Sequence, residues 1–305
     1  MRSSSLIFFG TENFSTFALS GLIKAKWDIE CVVTKPDKQA GRGKKIRENP
    51  VKQMAQKYKI PVIEFTDTEK FENEIANLHS NLAVLSSFGK IISENTINKF
   101  SKGIINIHPS LLPKYRGPSP IESVILNGDK KTGVSIMKIT NKMDAGPIYA
   151  QETIELKKDE TKPALYEILA KKGTELLLKS LPLINNGQIK PKEQNHDKAT
   201  YTTLIHKRDG KINWNRSCID IERQIRAYLG WPGSYTKINN VDVIITKAYA
   251  VPSKEPGVKA GEITIVPQIN ALSISTSDGS VWVQRIKPFG RNEMTSAEFI
   301  RGYLK

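Results

Sequence analysis

Three side chains in the middle of the chain have the types needed for acyl-transfer chemistry: Asn106, His108 and Asp144. A histidine gives or takes a proton near neutral pH. An aspartate orients such a ring and stabilises its cationic form. The NH2 of an asparagine donates to the oxyanion of a tetrahedral intermediate. No cysteine, metal-ligand cluster or Gly-x-Ser-x-Gly elbow lies near them in the sequence, so the set suits acyl transfer to an amine without a covalent enzyme intermediate. Residue types alone leave a second reading open, in which Asn106 and His108 are half-exposed strand residues and Asp144 makes an Asx turn.

The elements that must position these residues follow from the pattern around them. Ile104-Ile105-Asn106-Ile107-His108 reads as a strand in which Asn106 and His108 share one face and Ile105 and Ile107 the other. Pro109 cannot donate to a ladder and ends it, leaving His108 at the carboxyl end, where open α/β sheets bind ligands. Upstream, strands over Leu6–Phe9, Ile29–Thr34, Pro61–Phe65 and Leu82–Leu85 alternate with amphipathic helices. These helices carry Phe14 to Ala25 behind an Asn13 cap, Val51 to Tyr58 behind Pro50, and Phe71 to Leu78. The alternation predicts an α/β, Rossmann-like, mostly parallel sheet covered on both faces. The first turn, Gly10-Thr11-Glu12-Asn13-Phe14, lacks the Gly-x-Gly-x-x-Gly spacing, so a dinucleotide is not indicated. Downstream come a helix from Ser119 and Pro120 to about Gly128, a strand over Val134–Ile139, a turn-rich loop over 141–147, and a long helix over Lys162–Leu183.

Periodicity is lost from Gln188 to Lys211, which predicts an N-terminal catalytic domain over 1–188, a linker over 189–210 and a C-terminal domain over 211–305. In the last, one helix near Ile219–Leu229 precedes short strands at Tyr235–Ile238, Val241–Ala248, Glu262–Val266, Ala271–Thr276 and Val281–Ile286. Five short strands suggest a smaller, closed or half-closed OB-like β-barrel, a fold that often binds nucleic acid. Trp214 and Trp231 read as barrel or interdomain core, His79 as a member of a polar helix, and His196 and His206 as surface residues.

Across its 305 residues the chain carries 46 Lys and Arg against 31 Asp and Glu, a formal charge of +15. The excess suggests a polyanionic partner, nucleic acid first, although lysine-rich solubility would also produce it. The segment Lys35–Arg47 concentrates part of it: Lys38, Arg42, Lys44, Lys45 and Arg47 stand among glycines, as a long polar loop suited to phosphates and lacking Walker A spacing. The two cysteines, Cys31 and Cys218, belong to no metal or disulfide pattern; Cys31 reads as a buried strand residue, and a reducing cytoplasm fits. The apolar run Leu6–Phe9 is too short for a secretory signal or a membrane span.

Several motifs carry a family resemblance. Gly10-Thr11 with Phe14, the Pro36-Asp37 to Lys45 loop, Asn106-x-His108-Pro109-Ser110-Leu111-Leu112-Pro113 with Tyr115-Arg116-Gly117, Thr132-Gly133-Val134 and Asp144-Ala145-Gly146-Pro147-Ile148 resemble the 10-formyltetrahydrofolate-dependent formyltransferases. The resemblance covers nearly the whole chain and is nearest to the branch that acts on methionyl-tRNA. It implies a formyltransferase N-terminal domain and a tRNA-binding C-terminal one. It implies that 10-formyltetrahydrofolate, the co-substrate, lies against Ser110, Leu111, Leu112 and Pro113 and against Ser86, Phe88, Gly89 and Ile91, largely through backbone groups. The basic loop with Lys38, Arg42, Lys44, Lys45 and Arg47 would enter the acceptor end of initiator methionyl-tRNA, Arg42 foremost, while the barrel holds the acceptor arm. Asn106 and a cationic His108 would stabilise the oxyanion, with Asp144 holding His108, which relays a proton to the departing N10. No metal, nucleotide cofactor or membrane is implied, and a cytoplasmic monomer is expected. Relatives formylate glycinamide ribonucleotide or an amino sugar nucleotide with the same three residues, but the second domain and the charge favour the tRNA branch. Outside the family, a nicotinamide dehydrogenase lacks its glycine fingerprint here, and a non-catalytic RNA-binding protein would leave the three residues idle.

Overall fold

A computed structural model describes residues 5–40, 45–253 and 257–304. The chain divides into two compact units, one of Met1–Pro120, Lys131–Glu155 and Tyr166–Thr202, the other of Ile121–Lys130, Leu156–Leu165 and Thr203–Lys305. In chain order the first half contains β1 (Leu6–Gly10), α1 (Asn13–Lys24), β2 (Ile29–Thr34), β3 (Lys38–Ala40), β4 (Lys45–Arg47), α2 (Pro50–Lys57), β5 (Val62–Glu64), α3 (Thr68–Ala76), β6 (Leu82–Ser86), α4 (Glu94–Lys99) and β7 (Gly103–His108). Then follow α5 (Pro120–Asn127), β8 (Lys131–Lys138), β9 (Ile148–Glu155) and α6 (Lys162–Asn185).

The first unit is built on a seven-stranded sheet of order β5-β2-β1-β6-β7-β8-β9. From β5 to β7 the strands are parallel, and β8 and β9 close the sheet antiparallel. The chain steps from β1 outward to β2 and β5, then crosses to β6 on the other side. The carboxyl ends of β1 and β6 therefore form the point where strand order reverses, the usual ligand position in such sheets. Strand β7, with His108 at its end, is the next strand along.

Both faces of the sheet are covered, which is why its central strands are mostly apolar, with β7 the exception at Asn106 and His108. On one face Ile7, Phe9, Cys31, Val33, Ala83, Leu85 and Ile104 pack with Phe71, Phe88 and Phe100. Phe9 meets those three rings edge-on, at centroid distances of 5.9, 5.5 and 6.1 Å, contacts worth roughly 0.5–1.5 kcal/mol each beyond burial. On the other face Ile107 lies against Gly173 of α6. Asn106 and His108 consequently leave β7 on the side opposite α6, as the alternation requires. Burial and the neighbouring Glu30 charge push the Cys31 thiol up to about 12, so it is an inert core residue.

Local structure departs from the sequence reading in several places. The α1 cap position is Glu12, which makes no side-chain cap bond, and Asn13 is the first helical residue. The capping signal lies instead at α2, where the Asn49 carboxamide oxygen accepts from the Val51 and Lys52 amides ahead of Pro50. Strand β9 was not expected: it is an edge strand with a polar sequence, and only its ladder with β8 makes it a strand. The basic segment is not a plain loop, since β3 and β4 pair antiparallel with Lys38 opposite Arg47. His79 lies beyond the end of α3 rather than in a helix. Residues 189–202, expected within a linker, are laid onto the first unit: Lys192 bridges to Ile148 and Tyr201 to Arg116.

The second unit contains α7 (Cys218–Ala227), β10 (Ser234–Ile238), β11 (Val241–Val251), β12 (Ile263–Val266), β13 (Ala271–Ser275), β14 (Ser280–Pro288), β15 (Met294–Thr295) and α8 (Ser296–Tyr303). Its sheet is antiparallel, in the order β10-β11-β14-β13-β12 with β15 on β14. Among the described residues no ladder joins β10 to β12, so of the closed and half-closed forms it is the half-closed one. Ile221, Ile225, Val243, Ile245, Leu272, Val283 and Phe299 are among its core residues, with Trp214 packed against them. Trp231, by contrast, is 54% exposed and is not a core residue. Helix α8 was missed although its signal is present, since Thr295 and Glu298 form a capping box ahead of Phe299. Two segments from earlier in the chain complete the unit, with Glu122 paired to Lys162 at 2.7 Å and Arg226 Nη1 donating to the Glu160 carbonyl at 2.9 Å.

Candidate active site

Asn106 and His108 stand at the carboxyl end of β7, 5% and 4% exposed. His108 Nε2 is 2.9 Å from the Tyr115 carbonyl oxygen. A carbonyl only accepts, so this nitrogen carries a proton. On the other side of the ring Nδ1 is 3.7 Å from Asp144 Oδ1, within ion-pair reach but too long for a hydrogen bond. Both ring nitrogens thus face oxygen atoms, the Tyr115 carbonyl on one side and the Asp144 carboxylate on the other.

Asp144 is held by the loops around it. Its Oδ2 accepts from the Gly117 amide at 2.7 Å. Gly117 has φ +108°, and a Cβ there would stand 2.7 Å from the Thr202 carbonyl oxygen, so only glycine can present that amide. Two residues past Asp144, a Cβ at Gly146 would lie 1.9 Å from the Lys138 carbonyl oxygen. The Asp-x-Gly loop therefore sits directly on the end of β8. Ser87, Tyr115 and Asp144 all have left-handed backbones, with φ of +43°, +61° and +48°. Such strain costs on the order of 1–3 kcal/mol per residue and gathers at functional sites.

The Asn106 carboxamide has no hydrogen-bond partner among the described residues. Its amide atoms are not among the fully buried unpaired ones, so the group keeps a narrow access to solvent and is open to a ligand. Two residues before His108 on the same face of β7, it is a donor free to meet a ligand oxygen. The structure therefore brings His108 and Asp144 together and puts Asn106 on the same face of β7 as His108.

The Ser110–Pro113 loop borders the same strand end. Ser135 Oγ on β8 donates to the Ser110 carbonyl at 2.6 Å and accepts from the Leu112 amide at 3.1 Å. Gln151 Nε2 on β9 donates to the Leu112 carbonyl and to Ser135 Oγ, both at 2.9 Å. The Leu112–Pro113 peptide is cis, and Ser110 Oγ donates to the Lys114 carbonyl at 2.7 Å. The loop's shape is thus set by Ser135, opposite His108 in the β7–β8 ladder, and by Gln151, opposite Ser135 in the next. Neither was singled out from the sequence. A serine within the apolar run Val134-Ser135-Ile136-Met137 was the available signal.

The Ser86–Ile91 segment follows β6. Its first carbonyls are already engaged, Ser86 by Ser15 Oγ, Phe88 by Thr11 Oγ1 at 3.1 Å and Gly89 by Lys35 Nζ at 3.3 Å. The Phe88 ring belongs to the core, so it offers no side chain to a ligand. Ser86 Oγ is buried and unpaired, and Ile91 is 92% exposed.

The basic hairpin springs from a clamp in the first unit. Asp37 accepts from the Asn49 amide and from Lys52 Nζ, both at 2.9 Å, and Lys52 also reaches Glu64 at 2.7 Å. The Lys52 hydrogen bond, with that of the Asn49 amide, holds the Asp37 carboxyl below the usual carboxylate range. Asn49 Nδ2 donates to Thr34 Oγ1 at 2.7 Å and to the Lys35 carbonyl at 2.9 Å. The stem carries Lys38, Lys45 and Arg47, and the expected contacts Arg42 and Lys44 lie outside the described residues.

Comparison with known proteins gives the family of the chain. Residues 1–181 match the family model described as formyl transferase, and residues 204–304 match that of the formyl transferase C-terminal domain. Methionyl-tRNA formyltransferase of Sulfurihydrogenibium sp. is 38% identical over 98% of this chain and 96% of its own. Among solved structures, HypX from Aquifex aeolicus in complex with tetrahydrofolic acid superposes with a TM-score of 0.67 at 18% identity, over 98% of this chain and 47% of that one. An N-formyltransferase from Helicobacter canadensis, in complex with folinic acid and dTDP-3-aminofucose, has a TM-score of 0.70 at 24% identity, over 92% of this chain and 98% of that one. At these identities the structural likeness speaks for the fold.

Proposed function

Since the chain belongs to the formyl transferase family in both matched parts, we propose that it moves the formyl group of 10-formyltetrahydrofolate to the α-amino group of methionyl initiator tRNA. The observation that carries the chemistry is the unpaired Asn106 amide beside His108 on the exit end of β7. The methionyl amine attacks the formyl carbon, a C–N bond forms, and the carbonyl oxygen becomes an oxyanion. Asn106 donates to that oxygen, and the His108 cation, with Asp144 behind it, supplies the opposing charge. As the bond to N10 breaks, N10 takes up a proton and the former amine loses one. His108 relays it, and its Nε2–H must leave the Tyr115 carbonyl to do so.

The co-substrate is read as lying between the Ser110–Pro113 loop and the segment holding Ser86, Gly89 and Ile91, with Phe88 behind it as core. Support for a tRNA acceptor comes from the +15 charge and the basic hairpin on its clamp, together with the identity to the Sulfurihydrogenibium protein. Lys38, Arg42, Lys44, Lys45 and Arg47 are the proposed phosphate contacts. No described helix is long and apolar enough to cross a membrane. Two free, buried thiols suit a cytoplasmic location, and a monomeric state is part of the reading, to be checked by sedimentation. The test is to incubate protein, 10-formyltetrahydrofolate and methionyl initiator tRNA, release the aminoacyl group and weigh it. N-formylmethionine is expected; unmodified methionine, with a formylated amino sugar nucleotide in a parallel reaction, would move the chain to another branch.

A further inference from the structure

Among the described residues Arg116 is the largest fully buried side chain, 2% exposed, and no salt bridge involves it. All its partners are neutral. Nε and Nη2 converge on Gln194 Oε1 at 3.2 and 2.7 Å. Nη1 donates to the Tyr201 hydroxyl at 3.1 Å, and Nη2 donates to His196 Nδ1 at 2.9 Å. A buried guanidinium without a carboxylate is expensive, and removing its acceptors would cost more. The fork of two donors on one oxygen has a consequence for Gln194: its oxygen must face Arg116, so its NH2 must face the other way. There Nε2 donates to the main-chain carbonyls of Asp144, at 2.9 Å, and of Gly146, at 2.7 Å. An amide placed the wrong way round would set NH2 against NH2 and oxygen against two carbonyls.

We propose that Arg116 and Gln194 are a positioning pair: the guanidinium fixes the Gln194 amide, and the amide pins the Asp144–Gly146 loop so that the Asp144 carboxylate faces His108. Neither residue touches the reacting atoms. The loop needs such a hold, because Asp144 sits at φ +48° and its ion-pair distance to His108 is already 3.7 Å. Arg116 is followed directly by Gly117, whose amide meets the other oxygen of Asp144. Displacing the pair therefore loosens the carboxylate from both directions.

The inference rests on the proposed formyl transfer for its kinetic readout, and a second readout is independent of turnover. The variant is Gln194→Glu in the full chain, which still accepts from Arg116 but turns a carboxylate oxygen to the two carbonyls. Hydrogen exchange of the Gly117 amide, which reports the hold on Asp144, is expected to speed up at least about tenfold, while amides of β1 and β6 keep their rates. In parallel, kcat for formyl transfer to methionyl initiator tRNA should fall roughly 10- to 100-fold, with KM for both substrates changing less than about threefold. A merely structural role would lower the melting temperature without this split. Should Gln194→Glu fail to fold, Gln194→Met, which lacks the donors too, is held to the same two criteria. Unchanged Gly117 exchange, or unchanged kcat in an active enzyme, overturns the proposal. If the wild type transfers no formyl group, the functional reading fails while the exchange measurement still decides the pair.

Discussion

His108 Nδ1 and Asp144 Oδ1 face each other at 3.7 Å, beyond hydrogen-bond length, while the second oxygen of Asp144 accepts from the Gly117 amide. The distance leaves the imidazole positioned mainly by Tyr115, whose carbonyl accepts a hydrogen bond from Nε2. In the proposed reaction Asp144 acts on the ring through its carboxylate charge.

That relation makes Asp144→Asn informative. The carboxamide oxygen can still accept from Gly117, so the loop should hold and the melting temperature should move by only a few degrees. What is lost is the charge opposite His108. Turnover should fall by on the order of 10²–10⁴, measured as kcat at saturating substrates. A variant retaining near-normal kcat would remove Asp144 from the chemistry.

Asn106→Leu separates function from stability. The native amide makes no hydrogen bond to a described residue, so an apolar side chain of similar shape should leave stability within about 1 kcal/mol of wild type. Formyl transfer should nonetheless drop roughly 10²–10³-fold, the usual cost of losing an oxyanion donor. Urea unfolding and kcat on the same preparation check both. A clear loss of stability would mean that the amide has a structural partner.

The hairpin assignment predicts a division between substrates. Arg42→Ala should weaken methionyl initiator tRNA several-fold while leaving the KM for 10-formyltetrahydrofolate within about twofold. Binding of the tRNA should fall steeply with added salt, and the slope should be shallower in the variant. Equal effects on both substrates would count against the loop as the tRNA contact.

Acid stability should depend on Glu30. Burial raises its pKa, but hydrogen bonds from Ser80 and His79 outweigh this and bring it from 4.5 down to about 2. Because the folded value lies below the unfolded one, the stabilisation is present above pH 4.5 and is lost as pH falls towards about 2. Glu30→Gln should cost about 1–3 kcal/mol at pH 7, and the gap to wild type should close across that acid window. Chemical unfolding at stepped pH checks this, and a gap independent of pH would contradict it.

The sheet was readable because both its faces are covered, so β1 and β6 appear as apolar runs ending at turn residues, while β2 and β7 stay apolar but for Glu30, Asn106 and His108. Strand β9 escaped because an edge strand facing solvent need not be apolar, and its partner is contributed by β8. Asn106, His108 and Asp144 were legible as residue types, but their convergence was not. It depends on Gly146 fitting against the Lys138 carbonyl and on Gly117 turning its amide inward, contacts between segments far apart in sequence. Gln194 was the hardest to see, in a stretch without periodicity, because its role is fixed by the orientation of one amide against Arg116. The neutral partners of that arginine leave no charge pattern in the chain.

The most direct test of the site is the single-turnover rate of formyl transfer to methionyl initiator tRNA in wild type and His108→Ala, with both substrates bound at saturation. The expected result is N-formylmethionyl-tRNA from the wild type and a rate lower by on the order of 10²–10⁴ in the variant, with substrate affinities retained. A His108→Ala rate within about threefold of wild type would contradict the account at its centre.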